Sequence, residues 1–271
     1  MRALPAFFYG LAAYLACMAT LMYFVGFSGN LFVPKSVDVG ASAGWIEAVA
    51  TDVLLLVLFG VQHSVMARRG FKRWWTLRVP AVVERSTFVV ATCVVLALMF
   101  WLWVPITAPV VWRVQSQAAT ALLWGLFGLG GVVVVVSTFL IDHFELFGLR
   151  QVVDGLMRRP ARQVEFRTPL FYRYVRHPLY VGLLLGLWCV PVMTAGRLLF
   201  ALGLSVYILV GIAFEERDLL AQFGERYRSY RREVGMLVPR ARAFTRDDRG
   251  DRGDRPATRP ARPGRGDRTK A

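Results

Sequence analysis

Four long apolar runs, almost free of charge, decide what this chain can become. They cover roughly Pro5–Phe27, Trp45–Ala67, Ser86–Val104 and Ala118–Ile141. Each is close to the ~20 residues a helix needs to cross a bilayer's hydrocarbon core. A fifth apolar region, Leu179–Phe214, is too long for one crossing, and it is interrupted at Pro191 and at Thr194-Ala195-Gly196-Arg197. The pattern predicts a helical hairpin there, giving six membrane helices with a short fifth. One long tilted helix would give five. With 56% of residues hydrophobic, a chain of 271 residues cannot hide its apolar surface in one soluble core. The expected fold is all-α: a polytopic integral-membrane helical bundle of five to six transmembrane helices, closed by a C-terminal helical hairpin.

Orientation follows from Lys and Arg. Segment 68–85 carries six, segment 142–178 carries seven, and the stretch after Phe214 carries sixteen. The intervening loops hold only Lys35, Arg113 and Arg197. The three basic regions share one side only if the N-terminus is cytosolic and the last region is a hairpin. The expectation is a multi-pass protein of the cell (inner) membrane with both termini in the cytosol. The first helix reads as retained rather than cleaved. Leu15-Ala16-Cys17 is similar to a lipoprotein site, but Tyr14 stands where an aliphatic residue belongs.

Residues 1–239 therefore read as one membrane domain and residues 240–271 as a tail of different material. The tail repeats Asp, Arg, Gly and Pro, and it has almost no apolar residue after Phe244. Such a segment cannot offset its ordering entropy by burial and is expected to be disordered. It also inflates the net charge of +15, so the basic balance does not argue for nucleic-acid binding. Cys17, Cys93 and Cys189 lie in apolar runs without CxxC spacing, which predicts neither a disulfide framework nor a metal site.

The chain has three histidines, all at the expected cytosolic ends of helices: His63, His143 and His177. Polar groups at such positions are candidates for function. Arg176-His177-Pro178-Leu179-Tyr180-Val181-Gly182 is the most specific string. Pro178 suits the first turn of a helix, whose free N–H groups attract carboxylates or phosphates. His177 and Tyr180 share a face, and Gly182 permits close approach of a helix or ligand. The hairpin should return Glu215 and Glu216 to the same depth as His177. The stretch from Phe223 to Tyr230 reads as an interfacial amphipathic helix. Asp142 and Glu145, flanking His143, could face one way as an acid–base cluster. The glycines between Gly125 and Gly131 imitate a dinucleotide loop by letters alone. No strand precedes them, so close helix packing is the better account.

These residues are where a resemblance enters. The string from Arg176 to Gly182, then Glu215-Glu216, then Phe223-Gly224 with Tyr227 and Tyr230, resembles the integral-membrane methyltransferase superfamily. That group includes isoprenylcysteine carboxyl methyltransferases and phospholipid N-methyltransferases. Further upstream, Gln62-His63-Ser64-Val65-Met66-Ala67, the segment Phe71–Trp75, Glu84-Arg85-Ser86-Thr87 and the segment His143–Gln151 are similar to its NnrU-like branch. Within that branch they are most similar to bacterial methanethiol S-methyltransferases. The likeness spans about residues 5–239 and omits the tail.

The resemblance implies S-adenosyl-L-methionine, held by Arg176, His177, Pro178, Tyr180, Gly182, Glu215 and Glu216 at the cytosolic side. It implies methanethiol as a small-molecule acceptor, dimethyl sulfide as product and the lipid bilayer as surroundings. Oligomeric state stays open. A thiolate is the nucleophile in such chemistry. His63 or His143 could take the thiol proton, Asp142 or Glu145 could orient the histidine, and Arg85 or Arg150 could favour the thiolate. Other acceptors compete: a prenylcysteine carboxylate, a lipid amine or another small thiol. From different classes, three histidines would suit a non-catalytic haem-handling protein, and the break at Pro191 a small transporter.

Overall fold

The computed structural model describes residues 3–159 and 166–240. Its elements, in chain order, are α1 (Ala3–Gly29), α2 (Trp45–Ala67), α3 (Arg69–Trp75), α4 (Ala81–Leu102), β1 (Val110–Arg113), α5 (Gln117–Ile141), α6 (His143–Leu146) and α7 (Leu149–Met157). A short 3-10 turn at Leu170–Arg173 leads to α8 (Pro178–Trp188), β2 (Val192–Thr194), α9 (Ala195–Phe223) and α10 (Glu225–Glu233). Helices α1, α2, α4, α5 and α9 are each long and apolar enough to cross a membrane. This is the all-α polytopic bundle that the sequence predicts. The tail from residue 241 on, expected to be disordered, lies outside the described residues.

The fifth apolar region is a hairpin, and the single tilted helix is excluded. Its first arm, α8, has 11 residues and so spans only ~16 Å. The chain then turns through Cys189, Val190 and Pro191, and Thr194 caps α9 by accepting from the Arg197 N–H at 3.1 Å. The arms are tied by Trp188, whose Nε1–H donates to Ser205 Oγ at 2.9 Å. α8 packs tightly on α5. The Gly130 Cα faces the α8 backbone so closely that a Cβ there would lie 2.6 Å from the Gly182 carbonyl oxygen. The glycine run of α5 thus serves helix packing at Gly130.

One end of the bundle is closed by a feature absent from the sequence reading. β1 and β2 pair antiparallel, Val110 opposite Thr194 and Arg113 opposite Val192, with an irregularity between Val110 and Trp112. Beside this ribbon the buried Arg197 pairs with Asp38 at 2.9 Å, and Asp38 accepts from the Thr194 hydroxyl at 2.5 Å. Below it Phe27, Phe100, Trp103 and Phe200 form an aromatic core. At the opposite end gather the starts of α1, α4 and α8 and the ends of α2, α5 and α9. All three histidines are there.

Candidate active site

The hairpin brings the sequence-distant pieces together. Pro178 opens α8, and no side chain caps its N-terminus. The preceding segment runs beside the chain after α10. Val175 bridges Gly235 in parallel, the Arg176 N–H donates to the Gly235 carbonyl at 2.8 Å, and the His177 N–H donates to the Met236 carbonyl at 3.2 Å. This backbone clasp orients Arg176 and His177 inward, and both are buried.

The two adjacent acids of α9 then part company. Glu216 is buried and fully engaged. Arg176 donates to its Oε1 from Nε at 2.7 Å, with Nη2 at 2.6 Å. His177 Nε2 lies 3.3 Å from the same oxygen, and Arg231 Nε lies 3.3 Å from Oε2. Arg176 Nη1 also donates to the carbonyls of Val234 and Arg231. Glu215 is the opposite case: its side chain is 45% exposed. It accepts from the Tyr180 hydroxyl at 3.1 Å and stands 3.7 Å from His177 Nδ1. Glu216 ties the clasp together, while Glu215 presents an exposed carboxylate, met by the partly buried Tyr180 phenol, beside the α8 N-terminus.

The stretch expected to lie at the interface does more than that. Tyr227 of α10 is buried, Tyr230 donates to the Tyr172 carbonyl at 2.5 Å, and Arg231 reaches Glu216. Burial, followed by the charge of Glu216, pushes the Tyr227 phenol up to about 12. Burial and the charge of Glu215 likewise raise the Tyr172 phenol. Both phenols stay neutral. Arg231 and Tyr172 were missed from sequence. The signal for Arg231 was there: with Tyr227 and Tyr230 it shares one face of α10.

His63 sits in a second neighbourhood, where α2, α4 and α9 meet. Its ring lies 4.8 Å from Phe88, 5.6 Å from Phe59 and 6.0 Å from Tyr207. Nδ1 lies 3.3 Å from Thr92 Oγ1, which itself donates to the Phe88 carbonyl at 3.0 Å. A hydroxyl that has spent its proton accepts, so Nδ1 carries the ring hydrogen and Nε2 keeps its lone pair. Nε2 has no hydrogen-bond partner among the described residues. The Arg85 guanidinium stands over Phe88 at 5.0 Å. Tyr207, also missed from sequence, links this group towards the hairpin. One turn further along α9, a Cβ at Gly211 would lie 4.0 Å from the Tyr180 hydroxyl.

His143 occupies a third neighbourhood. Thr138 Oγ1 donates to the Val135 carbonyl at 2.7 Å and lies 2.8 Å from His143 Nδ1, while the Tyr14 hydroxyl meets Nε2 at 2.9 Å. The ring stacks on Phe139 at 4.2 Å. Both nitrogens are occupied. Asp142 does not orient this ring. It caps α6 by accepting from the Glu145 N–H at 3.1 Å, and it pairs with Arg150. The Glu145 side chain belongs to an exposed residue.

Two motifs singled out separately in the sequence meet here. Arg85 Nε donates to the Leu146 carbonyl at 2.8 Å, and Ser86 Oγ donates to the Gly148 carbonyl at 3.2 Å. Gly148 has φ of 82°, and a Cβ on it would lie 2.8 Å from the Ser86 N. Only glycine fits both conditions. Gly182, in turn, faces α5: its Cβ would lie 2.6 Å from the Gly130 carbonyl oxygen, so its smallness serves packing. Among the described residues no three His, Cys, Asp or Glu side chains converge as a metal site would require.

These features define a class: a polytopic helical membrane protein with a polar, hairpin-built site at one end of its bundle. No family model and no solved structure matches the chain. Curated relatives do. It is 54% identical over 216 residues to a methanethiol S-methyltransferase of Pseudomonas deceptionensis, covering 79% of this chain and 81% of that one. It is 50% identical over 231 residues to that of Mycobacterium tuberculosis, covering 85% and 94%. A more distant relative is nurim of Sus scrofa, 30% identical over 229 residues, covering 77% and 87%. The chain belongs to the methanethiol S-methyltransferase family.

Proposed function

We propose that this protein transfers a methyl group from S-adenosyl-L-methionine to methanethiol, giving dimethyl sulfide. The observation that carries the reading is the division of labour at the hairpin. Glu216, Arg176 and His177 form a buried frame, and the exposed Glu215, held by the partly buried Tyr180 phenol, stands beside an uncapped helix N-terminus. The donor set fits the cofactor's chemistry. A partly exposed carboxylate suits its cationic groups. The free N–H groups of the first turn of α8 suit its carboxylate. When bound, the cofactor supplies an electrophilic methyl group. Arg176 and Glu216 act by holding His177, Tyr180 and Glu215 in place. Pro178 sets the helix start, and Gly182 sets the depth of α8 against α5.

The thiol must lose its proton, since the thiolate is the nucleophile. We assign that step to His63, whose Nε2 lone pair is free, and not to His143, whose two nitrogens are taken by Tyr14 and Thr138. Arg85, over Phe88 and next to His63, favours the thiolate by its charge. Asp142, Glu145 and Arg150 shape the turn that holds Arg85. Proximity and exclusion of water supply the rest.

The excess of Lys and Arg at the site's end of the bundle supports a cytosolic position for that end, and for both termini, in a cell-membrane protein. Residues 1–239 are then the methyltransferase domain and residues 240–271 a cytosolic tail. The test is headspace gas chromatography of membranes carrying this protein, given methanethiol and methyl-labelled S-adenosyl-L-methionine. Labelled dimethyl sulfide above empty-vector membranes is the expected result. No product while the cofactor binds overturns the acceptor. No product and no binding overturns the reaction class.

A further inference from the structure

The reaction brings together two substrates of opposite character, and the molecule has a second opening suited to one of them. Between α1 and α4 runs a groove of about 560 Å³, lined by Ala19, Thr20, Tyr23, Lys35, Ala97 and Trp101, with Phe100 at its floor. Ala19, Ala97 and Trp101 are exposed on the outer wall of the bundle, so the groove opens sideways where lipid would lie. Its outer rim is marked by Lys35, whose ammonium donates to the Trp101 carbonyl.

The inner end leads towards His63 by one-turn steps along α4. Ala97 lies one turn after Cys93 on α4, and Thr20 lies one turn after Cys17 on α1. Cys93 and Cys17 belong to one buried cluster. Both are buried against Phe88, Val89, Met18, Met66 and Phe147. Phe88 touches the His63 ring, and Thr92, next to Cys93, holds His63 Nδ1. The result is a lane of alanine, aromatic and sulfur-bearing side chains that ends beside the histidine with the free lone pair. Soft sulfur and aromatic groups favour a small polarisable guest. A charged cofactor would lose its hydration there without a counter-charge.

We propose that the α1/α4 groove is the entry path for a small neutral thiol arriving from the bilayer, and that Cys17, Cys93, Met66 and Phe88 form its binding pocket next to His63. The assignment rests on the acceptor reading above. It separates the routes: the charged donor enters from water at Glu215, and the apolar acceptor enters from lipid at Ala97.

The test uses the full chain in lipid vesicles, with Cys93 as a built-in reporter. Methyl methanethiosulfonate is small, neutral and thiol-directed. Its sulfenyl sulfur joins the cysteine sulfur as Cys–S–S–CH3, while methanesulfinate leaves and the thiol proton goes to solvent. Mass spectrometry locates the label. The expected result is labelling of Cys93 or Cys17 that dimethyl sulfide slows and that the trimethylammonium analogue of the reagent does not reproduce. Ala97→Phe should slow it roughly tenfold, the scale of a few apolar carbons in a pocket. Labelling of Cys189, at the far corner of the hairpin, should not change. In the enzyme assay Ala97→Phe should raise KM for methanethiol by a similar roughly tenfold factor, with cofactor Kd unaltered. Ala19→Phe, from the opposite wall, repeats the test if Ala97→Phe fails to fold.

An unlabelled wild-type pair, equal labelling by the cationic reagent, or an unchanged KM in both variants overturns the proposal. If wild-type membranes make no dimethyl sulfide while Ala97→Phe and dimethyl sulfide still slow labelling, the methanethiol reaction fails and the groove stands.

Discussion

Arg176 grips a single oxygen of Glu216 with two nitrogens, at 2.7 and 2.6 Å, where both side chains are less than a tenth exposed. The pair joins the segment before α8 to the end of α9, and through the Val234 and Arg231 carbonyls to the end of α10. Breaking such a pair leaves an uncompensated buried charge, which costs ~3–5 kcal/mol. Arg176→Ala should therefore lower the thermal midpoint in detergent sharply and abolish cofactor binding with it. Arg176→Lys keeps the charge but loses the fork, and it should recover only part of the stability. A wild-type midpoint for Arg176→Ala would show that the clasp is not held this way.

Glu215 and Glu216 are chemically identical neighbours, and the structure gives them different consequences. Glu215→Gln alters a partly exposed carboxylate beside Tyr180 and His177. It should weaken cofactor binding by about tenfold or more, the loss of one charge-assisted contact, while the thermal midpoint stays close to wild type. Glu216→Gln should do the reverse in order of effect, lowering the midpoint first. Isothermal titration and thermal scans on both variants read this out. Equal loss of midpoint in the two would sink the division of labour.

How the sequence foretold this site is instructive at individual residues. The spans were legible because hydropathy and helix length are local properties, and α2 runs from Trp45 to Ala67 as the apolar run predicts. The meeting of His177 with Glu215 and Glu216 was legible because a hairpin returns to its starting depth. The split between the two acids was not, since it depends on which way α9 is rotated against residues 175–177. Nor was the spent state of His143 legible. Its partner Tyr14 lies 129 residues away on α1, and no periodicity links the two. Asp142 and Glu145 looked like a cluster because i, i+3 spacing assumes helix at both, whereas Asp142 sits outside α6 as its cap. The β1–β2 ribbon escaped notice because four residues beside cis Ala108-Pro109 carry too little pattern.

His63 and His143 should separate in kinetics. Removing a general base typically costs 10²–10⁴-fold in turnover, so His63→Ala should lower kcat by about that factor while cofactor Kd holds. His143→Ala should leave kcat within a few-fold. A pH–rate profile adds the sign: the alkaline plateau of wild type, where the ring is free to accept a proton, should vanish in His63→Ala. Wild-type turnover in His63→Ala would remove it from the proton path.

His143 has instead a stability signature. Burial pulls its pKa below the ordinary histidine value, and the charge of Asp142 only partly opposes this. The unfolded chain therefore binds this proton at a higher pH than the folded one does. Stability from the neutral ring is fully present above the unfolded value of about 6.5. It declines as pH falls below that value, until the lower folded pKa is passed. Thermal midpoints measured from pH 8 down to pH 5 should fall less steeply in His143→Asn than in wild type. Parallel curves would mean that the ring's protonation is not linked to folding.

Gly130 and its neighbour Gly131 give the sharpest control on the fold itself. A Cβ at Gly130 would lie 2.6 Å from the Gly182 carbonyl oxygen and 3.0 Å from the Gly186 nitrogen, both backbone atoms that cannot rotate away. A Cβ at Gly182 would meet Gly130 in the same way, whereas one at Gly131 would find nothing within 4 Å. Gly130→Ala or Gly182→Ala should thus force α5 and α8 apart, at ~1–3 kcal/mol each. Gly131→Ala should be neutral or slightly stabilising, since alanine is the better helix former. The double variant Gly130→Ala, Gly182→Ala should cost less than the two singles together, because one methyl already opens the gap that the other needs. Full additivity would place the two glycines in separate contacts. Cofactor affinity should follow the same order, since α8 carries Tyr180 and its depth against α5 sets where that phenol meets Glu215.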